Sequence, residues 1–258
     1  MIKDNELTFE EQRLVQLEIL KEIDAVCRRE RIKYSLAFGT LLGAIRHQGY
    51  IPWDDDLDIM MPYEDMIRLR MSLHSNQIKF YDIDTDKTYG NAFANICSLK
   101  TYRKIGKAKE RGLGIDVYPI VKIPSDEQQQ ENFFRKAERL QSRRSFFLKA
   151  RLFLLSRYSI NSLFGYHKSI KAFRDFLISQ MSGISKSYYI IAGPLRLRKN
   201  MIYNEDLFET MTTVIFEGEE YPAIANYELF LRMRYGNYMV LPPEEERKPY
   251  HGQHYYWK

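Results

Sequence analysis

Four aspartates occupy five positions, Asp54, Asp55, Asp56 and Asp58, inside the run IPWDDDLDIMMP at residues 51–62. Leu57, Ile59 and Met61 alternate with the acids, so the spacing predicts a strand over 54–61. Side chains on a strand alternate between faces. Asp54, Asp56 and Asp58 then share one face, and Asp55, Leu57, Ile59 and Met61 share the other. The apolar row anchors the strand in a core, and the acids stand together at its edge. Like charges a few ångströms apart raise one another's pKa or require a cation. A hard divalent ion bound by oxygens answers both needs, Mg²⁺ first and Mn²⁺ as the alternative. The apolar alternation and the flanking Trp53 and Pro62 favour this strand over a solvated acidic turn.

A further acid is needed to complete such a site or to act as base. Asp116 stands alone between Ile115 and Val117 in the apolar segment GIDVYP, where a buried carboxylate must be paired or ligating. Its alternative is a salt bridge to a nearby base such as Arg111. Upstream, Phe38-Gly39-Thr40 reads as a strand-to-helix turn. Gly39 permits close backbone approach, and a following helix N-terminus offers N–H groups to a phosphate. Arg46 and His47, at the end of that short helix, either reach a phosphate or cap the helix. In the tail, Arg247 and His251 either contact a bound donor or acceptor or serve as a C-terminal brace.

Around these features the chain reads as α+β. The capping box at Thr8 and Glu11 opens a helix to about Arg29. A strand is expected over 34–38, a helix over 41–47, and another after Pro62 to about Leu73. Strands follow over 78–83, 93–99 and 114–119, the last ended by Pro119. The stretch from about Ser125 to Gln180 reads as helical and basic, 214–222 as a hairpin turning at Gly218, and 226–235 as a helix stopped by Gly236. The expected organisation is a catalytic core over 1–124, a basic helical insertion over 125–211 and a segment over 212–258 that returns to the core.

The net charge of +5 is unevenly spread. Between Arg135 and Arg174 there are eleven Lys or Arg and one acid, Glu138, which leaves the rest of the chain acidic. The segment FFLKARLFLLSRYSI interleaves these bases with aromatic and leucine side chains. That pattern suits an anionic membrane surface first and nucleic acid second; the plainer reading is a helical subdomain with a solvated basic face. No nucleic-acid-binding motif accompanies it, so a nucleic-acid partner is not expected. Cys27 and Cys97 lie far apart and support neither a zinc cage nor a disulfide framework. The polar N-terminus does not resemble a signal peptide and no segment has the roughly 20 apolar residues of a membrane span, so a cytoplasmic setting is expected, at the inner membrane face.

The run FGTLLGAIRHQGYIPWDDDLDIMMPYEDM closely resembles the signature of the LicD family, which includes bacterial phosphocholine transferases and, more distantly, fukutin and fukutin-related protein. GIDVYPI and the tail RYGNYMVLPPEEERKPYH continue the resemblance. It implies a nucleotidyltransferase-like fold with a small mixed sheet, flanking helices and a helical insertion. It also implies transfer of a phospho-alcohol from a cytidine-diphosphate donor, such as CDP-choline, to a hydroxyl of a cell-envelope glycan or its lipid-linked precursor. Lipopolysaccharide and teichoic acid are glycans of that class. By the same resemblance Asp56 and Asp58 are paired metal ligands, Asp116 the third acid, Asp54 a further acid, and Gly39 with Thr40 the phosphate turn. The cysteine zinc site of the fukutin-related branch is absent from this chain. A conventional nucleotidyltransferase, moving NMP from an NTP to a small molecule or RNA, uses the same carboxylates and is the alternative.

Overall fold

The computed structural model describes residues 5–86, 89, 94–105, 108–158, 166–179, 187–191, 202–204, 206–248 and 252–258. The expected mixture of helices and a mixed sheet is what the chain forms. Helix α1 (Phe9–Glu30) begins at the capping box: the Thr8 hydroxyl accepts from the Glu11 N–H, and the Glu11 carboxylate accepts from the Thr8 N–H. Its buried face, Val15, Ile19, Ile23 and Val26 with Leu20 and Cys27, repeats at the three- and four-residue spacing of one helix face.

The chain then runs through β1 (Ser35–Leu36), α2 (Phe38–His47), β2 (Asp58–Pro62), α3 (Tyr63–Ser72), β3 (Ile78–Tyr81), β4 (Ala94–Ser98), β5 (Thr101–Ile105), β6 (Ala108–Glu110) and β7 (Gly114–Pro124). Two helices follow, α4 (Glu127–Tyr158) and α5 (Tyr166–Ser179), then β8 (Ser187–Ile191) and β9 (Ile202–Tyr203). The hairpin β10 (Met211–Phe216) and β11 (Glu219–Ile224), helix α6 (Tyr227–Tyr235) and β12 (Tyr255–Trp257) complete it.

The central sheet is ordered β1-β2-β7-β4-β3, with β8 and β9 continuing from the far half of β7. Among the described residues β2 and β7 pair in parallel, and the other pairs in this sheet are antiparallel. The core spans both sides of it, with α1 residues Ile19 and Ile23, sheet residues Ile59, Ile96 and Val117, and Phe230 of α6 all essentially excluded from solvent. A smaller sheet, β12-β5-β6, ties the C-terminus back to the molecule. Leu7 donates to Tyr255 O and Trp257 to Asn5 O, so the two chain ends are zipped together beside β5.

Several expected boundaries move, each for a physical reason. β2 begins at Asp58, and residues 54–57 form a loop, so the period-two alternation does not extend to Asp54, Asp55 and Asp56. Helix α2 starts at Phe38, three residues early, because Phe38 takes a left-handed backbone with φ 42° that turns the chain sharply out of β1. Such strain costs of order 1–3 kcal/mol; ring contacts to Tyr118 at 4.9 Å and Phe230 at 5.7 Å hold it.

Pro119 does not end β7. Asp116 donates its N–H to Leu57 O on the β2 side, so the N–H position of residue 119 points the other way. On that side β4 pairing stops at Val117 and β8 pairing starts at Ile120, and a missing donor loses nothing there. The 125–211 stretch is not helical throughout, since β8 and β9 extend the sheet from within it. Phe93, expected in a strand, lies outside the described residues. The hairpin turns on Glu217 and Gly218, both at positive φ as a two-residue type I′ turn requires, and Gly236 stops α6 at φ 66°. No helix among the described residues is long and apolar enough to cross a membrane.

Candidate active site

β2 and β7 run parallel with Asp58 opposite Asp116, so register alone brings together two acids that are 58 residues apart in the chain. The backbone of Asp58 is held on both sides: its N–H donates to Thr40 Oγ1 at 2.8 Å, and its carbonyl accepts from Ala37 at 3.0 Å. Thr40 is therefore buried inside the first turn of α2 with its hydroxyl fixing the strand. Asp58 is only 7% exposed, and its Oδ1 has no hydrogen-bond partner among the described residues. Burial pushes its carboxyl well above the usual range, followed by the neighbouring carboxylates of Asp56, Asp116 and Asp54; a hydrogen bond with Tyr118 acts in the opposite sense. Asp116 accepts from Asn95 Nδ2 at 2.5 Å, and its Oδ2 lies 3.5 Å from the Tyr118 hydroxyl. Arg111, the alternative partner for Asp116, pairs with Asp86 at 3.1 Å and stacks on Tyr89.

The other three acids come from the loop. One carboxylate oxygen each from Asp54, Asp55 and Asp56 lie within 4.8 Å of one another, a group that Asp55 joins instead of facing away and that includes neither Asp58 nor Asp116. Helix α1 shapes this loop. Arg13 donates to the carbonyls of Ile51, Pro52 and Asp54 at 2.8, 3.1 and 3.0 Å, and Gln16 donates to Asp55 O at 3.1 Å. Asp54 packs its carboxylate against Gly39, where a Cβ would collide with Asp54 Oδ2. Gly39 thus makes room for the carboxylate at the start of α2. Burial raises the Asp54 pKa to about 7, with Asp56 and then Asp55 adding repulsion.

The tail closes another side. Gly252 donates its N–H to Asp55 Oδ2 at 2.9 Å, and Gln253 accepts from Arg103 at 2.7 Å. A cavity of about 190 Å³ opens between tail and sheet, lined by Asp55, Asp56, Asn95, Asp116, Arg103 and Tyr255 among others. Arg46 donates to Tyr238 O at 2.7 Å, and burial lowers its pKa. His47 lies edge-on to Trp53, its pKa lowered by burial and then by Arg46. Arg247 donates to Pro242 O at 2.9 Å and sits over the Trp53 ring. His251 lies outside the described residues.

Arg13, Gln16, Asn95, Tyr118 and Gly252 were not anticipated in the sequence. Tyr118 carries a readable signal, since two residues beyond Asp116 it shares that face of β7. Gln16 and Arg13 do not, because they act across the fold from a helix whose own pattern concerns only packing.

The mixed sheet aligns two acids on its parallel pair and sets further carboxylates beside the start of α2. Residues 31–164 match the family model described as LicD/FKTN/FKRP, nucleotidyltransferase domain. The chain is 30% identical to the lipopolysaccharide cholinephosphotransferase LicD of Haemophilus influenzae, over 97% of this chain and 98% of that protein. Over 80 residues it is 40% identical to uncharacterized proteins of Rickettsia prowazekii and Rickettsia typhi, covering 31% of this chain and 28% and 26% of theirs. The chain belongs to the LicD family, and that membership makes it a transferase.

Proposed function

We propose that this protein is a Mg²⁺-dependent phosphotransferase. It moves a phospho-alcohol, phosphocholine first, from a CDP-alcohol such as CDP-choline to a hydroxyl of a cell-surface glycan or its lipid-linked precursor, and releases CMP. The similarity to a lipopolysaccharide cholinephosphotransferase along nearly the whole chain supports the substrate class. The observation that carries the chemistry is the register of Asp58 against Asp116, with Asp58 Oδ1 buried and lacking a hydrogen bond. A buried carboxylate oxygen without a donor is costly. An all-oxygen set of this kind fits a hard divalent cation.

Asp56 and Asp58 would hold that ion, with Asp54 as an auxiliary ligand. When bound, it neutralises charge on the donor's diphosphate. The chain's own groups do the rest. Asp116, held by Asn95 through Oδ1 and facing the Tyr118 hydroxyl through Oδ2, either completes a second metal position or takes the proton of the acceptor hydroxyl. The hydroxyl oxygen bonds to the distal phosphorus, the bond from that phosphorus to the bridging oxygen breaks, and CMP departs. Gly39 and Thr40 set the positions of Asp54 and Asp58 at the start of α2. Arg46 and Arg247 hold residues 238–247 beside Trp53, which places an aromatic face at the edge of the site.

A panel of CDP-choline, CDP-ethanolamine, CDP-glycerol and CDP-ribitol, each with candidate glycans and Mg²⁺, tests the reading. CMP release dependent on both acceptor and Mg²⁺ is the expected result. Pyrophosphate release from an NTP, with every CDP-alcohol inert, would overturn it in favour of the conventional nucleotidyltransferase.

A further inference from the structure

Helix α4 buries one face and exposes another of unusual composition. Phe133, Phe134 and Ala137 pack with Phe173 and Phe176 of α5 in a satellite core, and Phe133 stacks on Phe176 with ring centroids 5.2 Å apart. On the outer side, Arg135, Arg139, Ser142, Phe146, Lys149 and Phe153 follow one another at intervals of four, three, four, three and four, so they form one stripe along the helix. All six are exposed, Phe146 by 68% and Phe153 by 56%, and Arg143 flanks them. Arg139, Arg143 and Lys149 make no ion pair among the described residues. Single exposed apolar side chains need no explanation. Two phenylalanines at a spacing of seven, set in a row of bases, do.

We infer that this face of α4 is a membrane-docking surface for anionic lipid, with Phe146 and Phe153 entering the interface and Arg139, Arg143 and Lys149 meeting the headgroups. Charge complementarity selects the occupant. A second copy of this chain would bring the same positive stripe against itself, whereas an anionic bilayer supplies opposite charge and an apolar layer together. A helix lying in the plane of the interface can present this stripe while its opposite face stays packed on α5. The inference is independent of the transferase reading, because vesicle binding requires no donor, acceptor or cation.

The test is flotation of the full-length protein with vesicles of phosphatidylcholine alone or with 30% phosphatidylglycerol as the probe composition. Binding to the anionic vesicles only, weakened by salt, is expected. Each headgroup-facing base contributes about five-fold to partition, so Arg139→Gln, Arg143→Gln and Lys149→Gln together should lower it by roughly 100-fold. Phe146→Ser with Phe153→Ser should lower it by at least about 10-fold at unchanged circular dichroism and unchanged melting temperature. Equal binding by wild type and variants would overturn the inference. So would RNA binding by the wild type without vesicle binding, or a concentration-dependent dimer abolished by the two serine substitutions.

Discussion

Asp58 and Asp116 are carried by paired strands, whereas Asp54, Asp55 and Asp56 are carried by a loop, and the two groups are positioned by different physics. Strand register fixes the first pair through backbone hydrogen bonds that any side chains would share. The loop acids depend on particular side chains elsewhere: Arg13 and Gln16 on α1, the absent side chain of Gly39, and the N–H of Gly252. Mutating the strand acids should therefore change the chemistry with the fold intact. Mutating the loop supports should change geometry first and chemistry as a consequence.

The largest effect is expected at Asp58. Asp58→Asn keeps the shape but removes a buried carboxylate whose Oδ1 has no hydrogen-bond partner among the described residues. Loss of several kcal/mol of charge stabilisation corresponds to a drop in CMP release of about 10³-fold or more. The cation-free variant should at the same time melt higher than wild type, because the repulsion with Asp56 and Asp116 is gone. Turnover within tenfold of wild type, or a lower melting temperature, would show that Asp58 is structural.

Gly39→Ala probes the loop group without touching an acid. The new methyl meets Asp54 Oδ2 and must push the carboxylate aside, with no charge lost. A displacement of that kind should cost roughly 10–100-fold in turnover, at a melting temperature close to wild type. Normal activity would mean that the exact place of Asp54 is unimportant, and the distinction between the two groups would narrow to Asp58 and Asp116 alone. Arg13→Ala attacks the same loop from the opposite side. It removes charged-donor hydrogen bonds to three carbonyls, worth about 1.5–3 kcal/mol in total stability, and should raise the KM for the donor along with it. Thermal melting and steady-state kinetics measured together check this.

The contrast also explains what could be read from sequence. The acid cluster, the apolar row of Ile59 and Met61, the buried stripe of α1 and the turn at Gly218 all follow from local periodicity and turn chemistry. The pairing of Asp58 with Asp116 was legible as chemistry, since a lone acid between Ile115 and Val117 needs a partner, but not as geometry. The early start of α2 was hidden because it needs a left-handed Phe38, which tertiary ring contacts sustain and no local propensity signals. Asp55 was placed on the wrong side because a period of two was carried into residues that Arg13 and Gln16 bend into a loop. Strands β5, β6 and β12 escaped notice because the chain ends pair with the middle of the sequence, and short edge strands carry little pattern of their own.

The smallest effect, and the most diagnostic of the loop acids, is the pH dependence of stability without a divalent cation. Asp54 in the folded protein titrates at about 7, above the ordinary 3.8 of an unfolded aspartate. The folded state therefore holds this proton more tightly. Its penalty is absent below about pH 4, grows as pH rises through the interval, and is complete above pH 7. Asp58 acts in the same direction. Carboxylates held below their usual range, such as Asp84 beside Arg174 and Arg70, lose their stabilising contribution only as pH falls below about 4, so the two behaviours occupy separate windows. In chelator, the melting temperature should fall by a few degrees between pH 5 and pH 8, with about 1 kcal/mol corresponding to 2–4 °C for a chain of this size. Added Mg²⁺ should restore more at pH 8 than at pH 5, since only ionised carboxylates bind it. Asp54→Asn should flatten the chelator slope in part. A melting curve that rises with pH in chelator, or a Mg²⁺ shift that is equal at both pH values, would mean that the loop carboxylates are already compensated within the fold and that the acids of the paired strands act without them.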